Sequence, residues 1–141
     1  MSDECIFCQI VEGGSPASFV YQDDAVVVFM DVQPITHGHM LVVPRVHAVL
    51  MHELDEVSAM RTFAVAYKVA RMVPATLGAG GFNLFVADGT VAFQDVPHFH
   101  IHIIPRYEND GFALTFPASY GQPPPREQLD SVAATLRFAV S

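Results

Sequence analysis

The sequence predicts an α+β domain in which an antiparallel sheet of about five strands packs against one main helix. Three observations carry this prediction. Residues 98–104 alternate histidine with apolar side chains, as a strand with one polar face does. Residues 16–30 contain two β-branched and aromatic runs around a short turn, and residues 53–73 repeat apolar side chains at helical spacing.

Length and composition indicate a single domain, residues 1–141; its division into a core over about 5–108 and a C-terminal extension over about 109–141 is implied by the family resemblance described below. The chain has 141 residues, enough for a core without disulfides. Apolar residues make up 51% of it, and the mean hydropathy is +0.32. No apolar run approaches the roughly 20 residues of a membrane span, so we expect no membrane partner and some apolar surface that a second copy could cover.

Charge narrows the range of partners. The formal net charge of −8 would repel a polyanion, so we expect no long nucleic acid as a partner. A few local donors can still hold a mononucleotide. The acidic N-terminus, residues 1–4, is not followed by the apolar stretch of a secretory signal, and we expect a cytoplasmic protein.

Cys5 and Cys8 are the two cysteines of the chain, and their Cys-x-x-Cys spacing has three interpretations. A thioredoxin-like redox site would need a βαβ context, which is not apparent. A zinc site would need two more ligands, for which histidines are available. Two buried, inert thiols would need nothing further.

The next elements are expected to be strands. Residues 16–22 and 25–30 predict a hairpin, after which Asp31 ends the apolar run. An aspartate there commonly serves as a turn or cap carboxylate. Residues 40–43 predict a strand that stops at Pro44, with His39 at its edge.

The main helix is expected over residues 53–73, where Pro74 should end or kink it, and residues 77–81 form the exit turn. A strand over residues 82–87 and a loop over 91–97 then lead into the histidine-rich strand. A second amphipathic helix is expected over residues 126–140.

The alternating histidines are the strongest functional signal. His98, His100 and His102 should share one face of their strand, while Phe99, Ile101 and Ile103 face the core. Imidazole can act as a nucleophile, a general acid or base, or a metal ligand near neutral pH. A purification tag or a metal-binding tract would not interleave its histidines with apolar residues.

Residues 98–104 fit His-φ-His-φ-His-φ-φ, with φ apolar, and here the sequence resembles the histidine triad (HIT) proteins. The resemblance extends to the segments 5–8 (Cys-Ile-Phe-Cys), 29–31 (Phe-Met-Asp), 38–44 (Gly-His-Met-Leu-Val-Val-Pro) with His47, and 81–83 (Gly-Phe-Asn). It covers roughly residues 5–108. It implies the HIT-like fold and a homodimer.

The resemblance also implies chemistry. His100 would attack the α-phosphorus of a purine nucleotide derivative, and water would hydrolyse the nucleotidyl-histidine intermediate. His102 would contact the phosphate, His39 and Gln94 would help to hold the reacting geometry, and Asp31 would accept hydrogen bonds from the ribose hydroxyls. The implied catalytic set is His100, His102, His39 and Gln94. The implied nucleotide-binding set is Asp31, Asn83, Gln94, His100 and His102.

In relatives that carry Cys-x-x-Cys, the first histidine of the triad has a different role. The resemblance implies that Cys5, Cys8, His47 and His98 form a Cys₂His₂ set, which suits structural zinc without an open position. Such a metal would brace the strand while His100 does the chemistry.

Three departures from the family pattern leave the substrate open. Ala87 stands where many members carry Asn or Gln, Phe93 where Gly is common, and Asp95 where phosphoramidate hydrolases carry Ser. Loss of that hydroxyl weakens the case for phosphorus–nitrogen bonds, so dinucleoside polyphosphates or other adenylylated compounds are equally expected. The alternative function is a nucleotide-binding or scaffolding protein with little turnover, and the C-terminal extension is where substrate preference would be set.

Overall fold

A computed structural model describes residues 4–141. These residues form four helices and five strands, in the order α1 (Ile6–Val11), β1 (Phe19–Gln22), β2 (Val26–Met30), β3 (Met40–Pro44), α2 (Glu56–Ala70), α3 (Val73–Leu77), β4 (Gly81–Phe85), β5 (Ile101–Arg106) and α4 (Arg126–Val140). Short 3₁₀ turns occupy Met51–Glu53 and Thr90–Ala92. The strands form one antiparallel sheet in the order β1-β2-β3-β5-β4, which confirms the predicted α+β class.

The predicted hairpin is present as β1 and β2. Asp23 closes its turn, because its Oδ1 atom accepts hydrogen bonds from the backbone N–H groups of Ala25 and Val26 at 2.8 and 2.7 Å. The hydroxyl of Tyr21 donates to the other carboxylate oxygen at 2.9 Å. A carboxylate that accepts several such bonds fixes a tight turn, and the register of the two strands follows from it.

Each face of the sheet has its own apolar layer. On one face, α2 packs Val65, Ala66 and Ala70 against the strands. The strand residues in that layer include Val26, Val28, Val42, Ile101 and Ile103, and Phe99, just before β5, joins them. On the opposite face, α1 and its N-terminal flank pack against β2 and β3 through Cys5, Phe7, Cys8, Ile10, Val27, Phe29, Leu41 and Val43. The triad histidines alternate with Phe99 and Ile101, and they therefore lie on the α1 side.

The main helix is shorter than predicted. It begins at Glu56, where the side chain of Asp55 caps it by accepting the N–H of Ser58 at 3.0 Å, and it ends at Ala70. Pro74 does not end it but lies in the first turn of α3, where a proline has no helical hydrogen bond to lose. Gly78, with a φ of 71°, then ends α3 in the left-handed conformation that favours glycine.

The triad strand begins three residues later than predicted. Hydrogen-bonded pairing with β3 covers Ile101 to Ile103. The N–H of Phe99 instead donates to the carbonyl of Ala48, a loop residue, at 2.7 Å. The alternation persists through this stretch, so the histidines still share one face. The strand is the last of the sheet in sequence but lies between β3 and β4, inside the sheet.

The C-terminal helix α4 spans residues 126–140, as predicted. Every residue from 113 to 141 is exposed, so this extension contributes no buried residue to the core that the structure describes. Within residues 4–141, no helix combines the length and the apolar character needed to cross a bilayer.

Candidate functional site

A cavity of about 430 Å³ lies on the α1 side of the sheet and brings together several of the predicted residues. Asp31, Asp95, His100 and His102 line it together with apolar side chains, among them Phe7, Ile10, Phe29 and Leu41. A larger cavity of about 560 Å³ on the opposite side, beside α2 and α3, is mostly apolar and contains none of the predicted catalytic residues. The cavity on the α1 side, which holds the predicted residues, is therefore the candidate site.

His100 has a fixed tautomer. Its Nδ1 atom lies 2.7 Å from the carbonyl oxygen of His98, and a carbonyl can only accept, so Nδ1 carries the hydrogen. In the neutral ring, the lone pair is then on Nε2. The ring is buried, and Phe7 meets it edge to face with 5.0 Å between ring centroids. The backbone and Phe7 thus orient the ring so that Nε2, the nitrogen not bonded to the His98 carbonyl, is the one available at the cavity.

A second chain of hydrogen bonds fixes His39 and His102. The backbone N–H of Ile35 donates to Nδ1 of His39 at 3.0 Å, so the hydrogen of the neutral His39 ring is on Nε2. That atom lies 2.9 Å from Nδ1 of His102, which must accept. The hydrogen of His102 is therefore on its own Nε2 atom, and His102 is a donor at the cavity.

Burial keeps these two rings neutral. It lowers the pKa of His102 from 6.5 to about 4, and the neighbouring His100 and His39 rings add to the decrease. Burial also lowers the pKa of His39, although the carboxylate of Asp31 partly offsets that effect. The hydrogen-bonded pair therefore consists of two neutral imidazoles at neutral pH.

Asp31 lies at the end of β2 and lines the same cavity. One of its oxygens accepts the N–H of Gln33 at 2.8 Å, and the other lies 3.6 Å from Nε2 of His39. The local turn thus fixes the carboxylate, which retains acceptor capacity for a ligand hydroxyl.

Gln94 and Asn83 lie outside the cavity lining. The amide of Gln94 is bonded to backbone groups: its Oε1 accepts from Gly89 N–H at 2.8 Å, and its Nε2 donates to the carbonyls of Val49 and Val96. The amide oxygen of Asn83, on β4, accepts from Arg106 at 2.8 Å. Their roles in catalysis and nucleotide binding stay predictions, since both side chains are engaged elsewhere.

Asp95 follows Gln94 and does line the cavity. Its Oδ1 atom lies 3.8 Å from Nε2 of His100, and its side chain is 77% exposed. The alternation of the triad gives no sign of this contact, although the sequence does place a carboxylate where related hydrolases carry a hydroxyl.

A Cys₂His₂ cluster surrounds the first histidine of the triad, as the resemblance implied. Its members are Cys5, Cys8, His47 and His98, and their four potential ligand atoms lie within 4.8 Å of one another. Nδ1 of His98 lies 3.5 Å from the sulfur of Cys5, 3.6 Å from that of Cys8 and 3.2 Å from Nδ1 of His47. The sulfur of Cys8 lies 3.2 Å from Nδ1 of His47.

These distances fit a tetrahedral metal. With ordinary zinc bond lengths, two nitrogen ligands lie about 3.3 Å apart, and a nitrogen and a sulfur lie about 3.6 Å apart. The protonation of His98 fits as well, because its Nε2 atom donates to the carbonyl of Pro44 at 2.8 Å and leaves the Nδ1 lone pair for a metal. Burial lowers the pKa of His98 to about 4 and raises that of the Cys8 thiol to about 11. A divalent cation is the group that would turn such buried thiols into thiolates.

A second group, Asp31, His39 and His102, also brings its potential ligand atoms within 4.8 Å. The tautomers argue against a metal there. Nε2 of His39 carries a hydrogen because Nδ1 accepts the N–H of Ile35, so the neutral ring has no lone pair to offer at that position. Of these two groups, the Cys₂His₂ set alone has its lone pairs free.

Two further contributors to the site were not identified from the sequence. The ring of Phe7 contacts both His98 and His100, and the backbone N–H of Ile35 sets the tautomers of two histidines. The position of Phe7 between the two cysteines is a signal that could have revealed its role, because any fold that joins these cysteines to the triad strand carries Phe7 there. A backbone donor such as Ile35 has no sequence signal.

The HIT domain family matches residues 12–109 of the chain. A HIT family protein from Bacillus anthracis has a crystal structure that superposes with a TM-score of 0.90 at 39% sequence identity, covering 100% of both chains. Among characterised relatives, adenylylsulfatase HINT3 of Arabidopsis thaliana is 34% identical over 110 residues, which are 78% of this chain and 56% of that protein.

A third comparison concerns the metal. A zinc-bound histidine triad family protein from Mycobacterium smegmatis has a TM-score of 0.76 and 33% sequence identity, covering 99% of both chains. The bound zinc is an observation on that protein. The observation on this chain is the Cys₂His₂ cluster described above.

Proposed function

The chain belongs to the histidine triad (HIT) family, and we propose from that premise that it is a hydrolase. Its substrates are derivatives of purine nucleoside monophosphates, such as phosphoramidates or dinucleoside polyphosphates, and the reaction passes through a nucleotidyl-histidine intermediate. One observation carries the proposal: the Nδ1–H of His100 is committed to the carbonyl of His98, which leaves Nε2 as the nitrogen that can attack a ligand in a cavity of ligand size. The family includes hydrolases, such as the adenylylsulfatase among the relatives.

In the first step, the Nε2 lone pair of His100 forms a bond to the α-phosphorus, and the bond from phosphorus to the leaving atom breaks. The leaving atom takes the electron pair and, where it is a nitrogen, a proton from water. The His100 ring becomes positively charged, and its Nδ1–H bond to the His98 carbonyl strengthens as that charge develops. The Nε2–H of His102 donates to a phosphoryl oxygen, where it offsets negative charge.

In the second step, water attacks the phosphorus, the bond to Nε2 breaks, and the electron pair returns to His100. The water releases one proton to solvent, and the monophosphate leaves. His39 acts here as a positioning residue, since it keeps His102 in the donor tautomer through a 2.9 Å hydrogen bond. No step requires the Cys₂His₂ group.

The rest of the cavity suits a nucleoside. Asp31 can accept hydrogen bonds from both hydroxyls of a ribose, because a carboxylate has two oxygens and only one is bonded to Gln33. Phe7, Phe29 and Leu41 form apolar walls on which a purine ring can pack. These contacts would orient the α-phosphorus toward His100.

We propose that Cys5, Cys8, His47 and His98 hold a structural zinc ion, on the fit of their distances and protonation described above. When bound, the metal would join the segment before α1 to the triad strand and add stability to that face of the sheet. Thiolate ligands persist in a reducing compartment, in agreement with the expected cytoplasmic location.

We also propose a homodimer that pairs through α2 and β4. Val57, Met60 and Tyr67 form an exposed apolar stripe on α2, and β4 is an edge strand with Phe82, Leu84 and Phe85 exposed. An edge strand with apolar side chains favours pairing with a second copy.

The function is tested by a screen of purified wild-type protein and His100→Ala against adenosine phosphoramidate, diadenosine polyphosphates and adenylyl sulfate. We expect release of adenosine monophosphate from at least one of them by the wild type and none above background by the variant. Tight binding of adenosine monophosphate without turnover of any compound would favour the alternative, a nucleotide-binding or scaffolding protein.

A further inference from the structure

The carboxylate of Asp95 lies beside the atom that would attack phosphorus. Its Oδ1 atom is 3.8 Å from Nε2 of His100, and the two residues line one cavity. Among the described residues that line this cavity, the other carboxylate is that of Asp31, and there is no lysine or arginine. A substrate phosphate in this cavity would meet two carboxylates and no lysine or arginine among these lining residues, an arrangement that disfavours further negative charge.

The loop that carries Asp95 is held firmly. Residues 89–94 close a tight turn, in which the N–H groups of Phe93 and Gln94 donate to the carbonyls of Thr90 and Gly89. The side chain of Gln94 then binds three backbone groups, from Gly89, Val49 and Val96. Asp95 itself accepts the N–H of Val96 at 2.9 Å. These bonds fix the backbone at Asp95, and the bond from Val96 holds its mostly exposed carboxylate on the side of His100.

We propose that Asp95 determines which leaving groups the site accepts: it favours nucleotidyl compounds whose leaving part carries a cation, such as an ammonium group, over those whose leaving part is an anion, such as a polyphosphate or sulfate. This inference rests on the proposed function, since it concerns the substrate of the same reaction. Asp95 is a specificity-determining residue in it and exchanges no proton or electron pair.

Elementary electrostatics sets the size of the effect. A leaving part attached to a phosphorus at His100 brings its charge within several ångströms of the Asp95 carboxylate. At about 6 Å, with a dielectric between those of water and a protein surface, each unit of charge changes binding roughly three- to tenfold. Because the side chain of Asp95 is mostly exposed, salt should weaken the preference, and a cationic leaving part should lose more of its advantage as ionic strength rises.

The experiment uses three adenosine 5′-phosphoramidates with the same phosphorus–nitrogen bond and equal chain length, made from 1,4-diaminobutane, pentylamine and 5-aminopentanoate. Their leaving parts are cationic, neutral and anionic. kcat/KM is measured for each at low and at near-physiological salt, with wild type, Asp95→Asn and Asp95→Ser. Glu56→Gln, at the exposed start of α2 on the opposite face of the sheet, is the matched control because it changes the net charge by the same amount away from the cavity.

We expect the wild type and Glu56→Gln to prefer the cationic over the anionic compound at least tenfold at low salt and less at higher salt. In Asp95→Asn and Asp95→Ser the ratio should fall to about two or below. This inference is overturned if the wild type shows a cationic-to-anionic ratio of kcat/KM near one, or if the preference survives in both Asp95 variants. Cleavage of the three compounds would still support the proposed hydrolase in either case. Failure of the wild type to cleave any of the three, together with every compound in the wider screen, overturns both.

Discussion

Nε2 of His39 lies 2.9 Å from Nδ1 of His102, and the two rings form a neutral, hydrogen-bonded pair at the edge of the cavity. Burial holds the pKa of His102 at about 4, well below the value of 6.5 of a free histidine. The unfolded chain has no such burial, so its His102 takes up a proton as the pH falls below 6.5. Between pH 6.5 and about 4 the unfolded chain therefore binds a proton that the folded chain does not.

The first prediction is that His102 makes the protein less stable in acid. The free energy of unfolding should fall as the pH decreases through this window, since the unfolded state binds more protons there. His102→Gln removes the titration, so its loss of stability between pH 7 and pH 5, measured by urea denaturation, should be smaller by up to roughly 2 kcal/mol. His52→Gln, at an exposed position, should behave like the wild type. Equal losses in wild type and His102→Gln would count against a neutral His102.

Much of this architecture could be predicted because it depends on local pattern. The alternation around His100 places the histidines on one face, and the periodicity of residues 126–140 gives α4 correctly. The start of β5 could not be predicted, because Phe99 donates its N–H to Ala48, about fifty positions away, and not to the neighbouring strand. The periodic pattern over 53–73 likewise does not show the break after Ala70.

In the candidate site, too, some features could be predicted from the sequence and others depend on contacts between distant residues. The residues of the triad and the Cys₂His₂ set came from motif and resemblance, and the structure brings them together. The hydrogen bonds of Gln94 and the approach of Asp95 to His100 depend on how one loop folds back on the backbone. Loop contacts of this kind leave no periodic trace in a sequence.

The second prediction concerns zinc. Protein purified without an affinity tag should contain one zinc ion per chain by elemental analysis, since the four ligand atoms lie within 4.8 Å of one another and His98 stands near tetrahedral distances from the other three. Cys8→Ser should lose the metal and lower the Tm, because a metal that binds only the native state adds to its stability. His52→Gln should keep both. Stoichiometric zinc in Cys8→Ser would place the metal elsewhere.

The third prediction tests the ribose contact of Asp31. Asp31→Ala should weaken adenosine monophosphate binding, measured by calorimetry, by roughly 10- to 100-fold, the usual effect of losing hydrogen bonds to a charged group. The 2′,3′-dideoxy nucleotide is the control, since it has no ribose hydroxyls to donate. Wild type and Asp31→Ala should bind it equally. If the substitution weakened both nucleotides by the same factor, Asp31 would be supporting the cavity and not recognising the ribose.

The fourth prediction concerns the homodimer. Light scattering should give a mass of twice the 15.4 kDa chain at neutral pH across dilution. Met60→Glu, in the exposed stripe of α2, should shift the mass toward one chain by burying a charge at the interface. Phe138→Glu, on exposed α4, should leave it unchanged. A single-chain mass for the wild type at every concentration would remove the dimer.

The central claim is that Nε2 of His100 forms a covalent bond to the α-phosphorus. Its most direct test is rapid denaturing quench of the protein during turnover of an adenylylated substrate, followed by mass spectrometry of intact protein and peptides. The wild type should carry one adenylyl group on the peptide that contains His100, and His100→Ala should carry none while still binding adenosine monophosphate. Turnover by His100→Ala at the wild-type rate, or turnover by the wild type with no adduct at any quench time, would contradict the mechanism.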